Sequence, residues 1–253
     1  MRILITNDDG IHAPGLKILE NIAKTLTDDI YVVAPATDQS GVSHSLSLND
    51  PLRLRTISER HHALKGTPTD CVIFALKHLL KDNPPDLVLS GVNSGSNIAE
   101  DVIYSGTIAA AMEGTLLGVP SIALSQGYGA AGRDNMHWDC AQFHAPGIIR
   151  KILAEGIPKD IVINLNFPNC AAADIQGLAI TIQGRRDAQF LKIDERADGR
   201  GIAYYWIAFT RSPQTPGQGT DLEALAARKI SITPLRIDLT DEPARAQLTR
   251  LFG

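Results

Sequence analysis

The chain opens with Ile3-Leu4-Ile5-Thr6, a run of bulky aliphatic residues that leads directly into Asn7-Asp8-Asp9-Gly10. An apolar run without polar alternation reads as a strand buried on both faces, the environment of a parallel sheet covered by helices. In such folds the residues after a strand's carboxyl end are delivered to the crevice where ligands bind. Here the delivered residues are two adjacent carboxylates. Like charges this close repel and lose hydration unless protons or a cation compensate them. Two readings of Asp8 and Asp9 therefore stand at this point: a divalent-metal site, or a polar turn in which Asp9 caps the next helix.

Strand-like runs recur at Ile30–Ala34, Leu87–Ser90, Ser121–Ser125 and Ile161–Asn166. Helical spacing fills the gaps between them, in Leu16, Leu19, Ile22, Ala23 and Leu26, and again in Cys71, Phe74, Ala75, His78 and Leu79. Thr67-Pro68 fits a cap followed by proline in the first turn, and further helices are expected over Gly106–Leu117 and Cys140–Ala154. This alternation predicts an α/β fold, a Rossmann-like, mostly parallel sheet with helices on both faces. Pro51–Gly66 breaks the rhythm and reads as an inserted hairpin. After Pro168 the pattern becomes β-rich: Gly177–Gln183 and Gly201–Thr210 are strand-like with a turn near Asp198-Gly199, Lys229–Ile237 forms another strand, and a terminal helix starts at Pro243. The expected organisation is a catalytic core over residues 1–168 and an extension over 169–253, together one domain.

With 253 residues, 44% of them hydrophobic, the chain can bury a large core. A net charge of -4, a pI near 6.0 and the lack of a basic run argue against a nucleic-acid binder. Cys71, Cys140 and Cys170 are scattered, which speaks against a zinc site or a disulfide framework and for a reducing compartment. Neither a signal peptide nor a membrane-spanning run is evident, so the expected location is the cytoplasm. No GxGxxG follows the first strand, no P-loop is present, and Gly-x-Ser-x-Gly is missing for a serine hydrolase built from Ser43, His44 and Asp38.

Three loops after strand candidates are rich in small polar residues: Asn7–Gly15, Asp38–Ser45, and Ser90–Asn97 leading on to Tyr104-Ser105-Gly106-Thr107. In a parallel sheet they converge. Carboxylates of Asp8 and Asp9, the hydroxyl of Ser40 and the amide oxygen of Asn93 form an oxygen set suited to a hard cation, Mg²⁺ or Mn²⁺. His12 and His44 read either as extra ligands or as ordinary loop histidines. The chain has no Lys or Arg between Lys24 and Arg53, nor between Lys81 and Arg133. A phosphate bound at the second and third loops would then draw its positive potential from the metal and from a helix start such as Ser105-Gly106-Thr107. A plain capping role for Ser105 or Thr107 is the alternative.

Taken together, Ile5–Gly10, Ala34-Pro35 through Gly41, Leu64–Cys71, Ser90–Gly95, Tyr104–Thr107, Gly219-Thr220-Asp221 and Ser231–Leu235 resemble the stationary-phase survival protein SurE family of metal-dependent nucleotidases, over nearly the full length. The resemblance implies one divalent ion held by Asp8, Asp9, Ser40 and Asn93. It implies hydrolysis of nucleoside 5'-monophosphates, often 3'-monophosphates, and in some members short polyphosphate. It also implies a homodimer or homotetramer that exchanges C-terminal elements, for which Ser212–Gly219 offers an arm. No stable nucleic-acid partner and no membrane are expected.

The mechanism expected is metal-assisted attack of water, with Asn97, Ser105, Gly106 and Thr107 gripping the phosphate and Asp8 or Asp9 assisting as base. Two rivals are an aspartyl-phosphate phosphatase and a nucleotide-binding regulatory module without turnover. Thr67-Pro68-Thr69-Asp70 either shapes the site or only caps a helix. Base-recognition candidates Tyr104, Tyr128 and Trp138 are equally readable as core.

Overall fold

β1 (Ile3–Thr6) is buried along its whole length as an interior strand of a nine-stranded sheet in the computed structural model, which describes residues 1–129, 132–186, 191–209 and 215–253. On one side of it lie β2 (Ile30–Pro35), β4 (His61–Lys65) and the edge strand β3 (Arg53–Ser58). On the other lie β5 (Leu87–Ser94), β6 (Ser121–Gln126), β7 (Ile161–Phe167), β11 (Ile230–Arg236) and β8 (Leu178–Ile180). β4, β2, β1, β5, β6 and β7 run parallel, while β3 is antiparallel to β4 and β11 to β7. The strand order reverses between β1 and β5, which opens a crevice at their carboxyl ends.

The two-residue period of β1 sorts its side chains between two layers. Ile3 and Ile5 pack with Leu16, Leu19 and Ile22 of α1 (Pro14–Lys24) and with Ile149 of α5 (Trp138–Glu155). Leu4 packs on the opposite face with Val72 of α2 (Pro68–Phe74) and Ala110 of α4 (Gly106–Leu116). The expected α/β architecture, with helices on both faces, is thereby realised. Thr67 does cap α2: its hydroxyl accepts from the Asp70 N–H, and the Asp70 carboxylate accepts from the Thr67 N–H, a reciprocal capping box. α2 continues into a π-helical turn over Ala75–Leu79.

The inserted hairpin is β3–β4, added at the sheet edge. The C-terminal region differs in its pairing from the expected run of strands. β8 and β11 join the large sheet, and the turn at Asp198 belongs to a separate antiparallel pair, β9 (Leu191–Ala197) and β10 (Ala203–Phe209). The charged sequence Lys192–Glu195 hides β9, because both faces of this ribbon are exposed and no apolar alternation is imposed. Two short helices, α3 (Asp101–Tyr104) and α6 (Asp221–Ala226), also lack a periodic apolar signal; α7 (Glu242–Phe252) ends the chain. Of the expected exchange arm Ser212–Gly219, residues 212–214 lie outside the described residues, as does Thr210 at the end of the expected strand.

Glycine decides how closely α1 approaches the crevice. β5 shifts register against β6 between Ser90 and Asn93, a bulge that turns Asn93 and Ser94 toward the crevice. Gly15 in the first turn of α1 lies against the Val92 carbonyl of this bulge, leaving no room for a Cβ. Gly147 in α5 faces open space. In chemical denaturation, Gly15→Ala is expected to cost about 2–3 kcal/mol through overpacking, and Gly147→Ala to stabilise by about 0.5–1 kcal/mol through helix propensity. Equal effects would contradict this account.

Candidate active site

The loops after β1, β2 and β5 meet in a cleft of about 150 Å³ whose walls include Asp8, Ser40, Asn93, Asn97 and Ser105. Five of the eight site residues expected from the sequence are thus brought together on one surface. Hydrogen bonds tie the loops to each other: the Gln39 N–H donates to the Asp8 main-chain carbonyl at 2.8 Å, and the Ser94 N–H to Asp9 Oδ2 at 2.9 Å. Asp9 stands half-buried beside the cleft through this bond. Gly106 and Thr107 lie behind Asp8. A Cβ on Gly106 would sit 2.9 Å from Asp8 Cβ, and Thr107 Oγ1 donates to Asp8 Oδ1 at 2.5 Å.

Asp8 is 4% exposed. Burial pushes its carboxyl up to about 7, against the opposing Thr107 hydrogen bond, and the charge of Asp9 adds to the rise. Asp9 is also raised by burial, while the Ser94 donor and the Arg133 charge favour its ionised form. Two neighbouring carboxylates that resist joint ionisation make a place where a cation is strongly favoured.

The remaining donors are prepared for the same role. Asp38 Oδ1 accepts from the Ser40 hydroxyl at 2.6 Å and from its N–H at 2.7 Å, which fixes Ser40 with its lone pairs free of its own proton. The Asn93 amide nitrogen donates to the Gly95 carbonyl at 2.8 Å, leaving its oxygen as the acceptor at the cleft. Asn97 is held from below by buried amides: its N–H donates to Asn166 Oδ1 at 2.8 Å, and its carbonyl accepts from Asn164 and Asn166 at 2.9 and 3.1 Å. Its side chain donates to Ser125 Oγ at 3.0 Å. The oxygens that these residues offer at and beside the cleft are carboxylate, hydroxyl and amide, a set that suits a hard cation.

The profile of the family described as Survival protein SurE matches residues 3–190. The chain belongs to the SurE family. It is 65% identical to a protein named 5'-nucleotidase SurE from Beijerinckia indica, over 99% of this chain and 96% of that one. A protein of the same name from Methylocella silvestris is 64% identical over 96% of each chain. A crystal structure of the SurE protein from Aquifex aeolicus, 38% identical, superposes with a TM-score of 0.86 over 100% of both chains.

Within this SurE fold the histidines fall outside the cleft. His44 Nε2 lies 2.9 Å from Glu113 Oε2, and His12 lines a separate cavity with Glu20 and His61. The expectation that the cleft lacks a protein cation is corrected by Arg133, which ends the second gap in Lys and Arg and lines the cleft. Its guanidinium lies 5.8 Å from the centre of the Tyr128 ring. Arg133 opens the three-residue helical turn Arg133–Asn135, which is too short to leave a periodic signal in the sequence. Tyr104 and Tyr128 line the cleft, whereas Trp138 packs against the core beneath α1.

In metal-free protein Asp8 holds, between about pH 4 and pH 7, a proton that the unfolded chain has released, so stability falls as pH rises through this window. A shift of this size is worth on the order of 4 kcal/mol. With chelator present, Asp8→Asn is expected to raise Tm relative to the unsubstituted chain at about pH 8, with the difference vanishing near pH 4. A pH-independent difference in melting would overturn the assignment.

Proposed function

We propose that this chain is a divalent-metal-dependent 5'-nucleotidase that hydrolyses nucleoside 5'-monophosphates to nucleoside and phosphate by attack of water. The observation that carries the reading is the oxygen-only set of Asp8, Asp9, Ser40 and Asn93 around a buried carboxylate that resists ionisation on its own. The names of the relatives at 64–65% identity support the reaction class.

When bound, the ion supplies polarisation of the phosphoryl group and activation of water. The chain supplies positioning. Asn97, rigidly held by Asn164 and Asn166, and Ser105, whose hydroxyl accepts from the Ile108 N–H, face the phosphate. Gly106 and Thr107 bring the positive end of α4 up to Asp8, and Thr107 keeps one carboxylate oxygen fixed. Arg133 balances the dianion from the opposite wall, and Tyr104 and Tyr128 offer ring faces to the nucleoside. A carboxylate of the Asp8–Asp9 pair accepts the proton of the attacking water. Contacts centred on phosphorus place little demand on the ribose position, which supports 3'-monophosphates and short polyphosphate as further substrates.

Oligomerisation is part of the same reading. β9–β10 is a two-stranded ribbon, marginal by itself, with Tyr205, Trp206 and Ile207 all more than half exposed, and α7 exposes Leu251 and Phe252. These surfaces support a homodimer or homotetramer in which C-terminal elements are exchanged. The three free, buried cysteines support a reducing cytoplasmic setting, and among the described residues no helix is long and apolar enough to cross a membrane.

Phosphate release from AMP and GMP is expected with Mn²⁺ or Mg²⁺, to vanish with chelator, and to fall at least about 10²-fold in Asp8→Asn. Binding without turnover would sink the enzymatic reading, and label retained covalently on the quenched protein would replace water attack by an aspartyl phosphate. Light scattering is expected to give a dimer or tetramer at micromolar concentration, and a smaller species once residues 239–253 are removed. A monomeric full-length chain would refute the exchange.

A further inference from the structure

Gly219-Thr220-Asp221 lies more than a hundred residues from every expected site residue in sequence, yet Asp221 is fully buried against the cleft loop. Its Oδ2 accepts from the Ala99 N–H at 2.9 Å, and its Oδ1 accepts from the N–H groups of Gly184 and Leu222 at 2.9 and 2.8 Å. Ala99 has φ +52, a left-handed conformation that a non-glycine residue adopts at a cost and only when held. Its carbonyl is held as well, by the Gln183 amide at 2.8 Å.

A second grip lies one residue further on. The Arg186 N–H donates to Glu100 Oε1 at 2.7 Å, and its guanidinium pairs with Asp101 at 2.9 Å and with Glu100 at 3.4 Å. The Arg186 side chain is only 10% exposed, so this network is largely shielded from water and geometrically demanding. Asn97 and Asp101, at the two ends of the gripped segment, both line the cleft. On its other side the segment hangs from β7 through Asn164 and Asn166.

We propose that Asp221 and Arg186 are positioning residues of the active site, clamping residues 97–101 between β7 and the C-terminal extension; this rests on the nucleotidase reading above. Asp221 fixes the turn that aims Asn97 at the phosphate. Arg186 fixes Asp101 and the wall that continues into Tyr104, which faces the nucleoside half of the substrate.

The test compares AMP with p-nitrophenyl phosphate, which has no nucleoside, in the full-length Mn²⁺-loaded enzyme, and measures amide hydrogen exchange over residues 98–102. Asp221→Asn turns an amide toward the Ala99 N–H and is expected to lower kcat about tenfold or more on both esters. Arg186→Gln is expected to raise KM for AMP about tenfold with kcat nearly unchanged and p-nitrophenyl phosphate unaffected, and Arg186→Lys to recover part of the loss. Exchange over residues 98–102 is expected to rise in both variants. Should Asp221→Asn fail to fold, Gln183→Ala loosens the same turn from an exposed position and is expected to lower kcat in the same sense. Unchanged kinetics in folded variants, or equal losses on both esters for Arg186→Gln with unchanged exchange, would overturn the clamp. An unsubstituted protein that hydrolyses neither ester would refute the nucleotidase reading, with exchange at Ala99 still deciding whether the clamp exists.

Discussion

Placing the Asp8 carboxylate under the first turn of α4 is the constraint from which the rest of the site follows. A buried carboxylate is tolerated only where donors or cations compensate it. Gly106 allows the helix backbone to come within contact of Asp8, Thr107 donates to one oxygen, and the positive end of α4 faces the charge. The same residue's carbonyl accepts from Gln39 and so draws the Ser40 loop to the first strand. One residue on, Asp9 accepts from Ser94 and draws in the β5 loop. Three loops far apart in sequence thus converge on two adjacent aspartates, one through a main-chain carbonyl and one through a carboxylate.

The second layer of the site is built from buried amides, which a core ordinarily avoids. Asn164 and Asn166 occupy inward positions of β7, a strand whose neighbours Val162 and Leu165 are wholly apolar and buried. Apolar residues there would pack with less desolvation. The amides instead saturate the Asn97 backbone, converting a loop residue into one held from a sheet strand. A departure from local packing preference of this kind is expected where function sets the requirement.

The parallel strands and their helices are legible in the sequence because burial on both faces leaves a composition signal that needs no tertiary context. The oxygen-rich loops are legible for a different reason, since three of them follow strands that a parallel sheet brings to one crevice. Asn164, Asn166 and Asp221 are not, because each matters through one partner contributed by a distant element. Asn166 reaches Asn97, and Asp221 reaches Ala99. Arg133 is not legible for another reason: it opens a three-residue helical turn, Arg133–Asn135, too short to leave a periodic pattern. β9 escaped because an exposed ribbon imposes no alternation, so its charged residues look like a loop.

Adjacent in sequence, Asp8 and Asp9 are unequal in the structure, and the inequality bears on chemistry. Asp8 is sealed beneath α4, and its side chain meets a hydroxyl donor, so its ionised form depends most on an added cation. Burial raises the half-buried Asp9 as well, but the Ser94 N–H that it accepts and the Arg133 charge work in favour of its ionised form. Environments that push two carboxylates apart in this way divide roles between them. In the proposed reaction Asp8 would mainly anchor the cation, since its burial makes neutralisation most valuable there. In the proposed reaction Asp9, nearer to solvent and beside the Ser94 N–H, would be the member of the pair that accepts a proton from water. This division follows from a single turn of backbone, which sends one side chain under the helix and leaves the other beside Ser94.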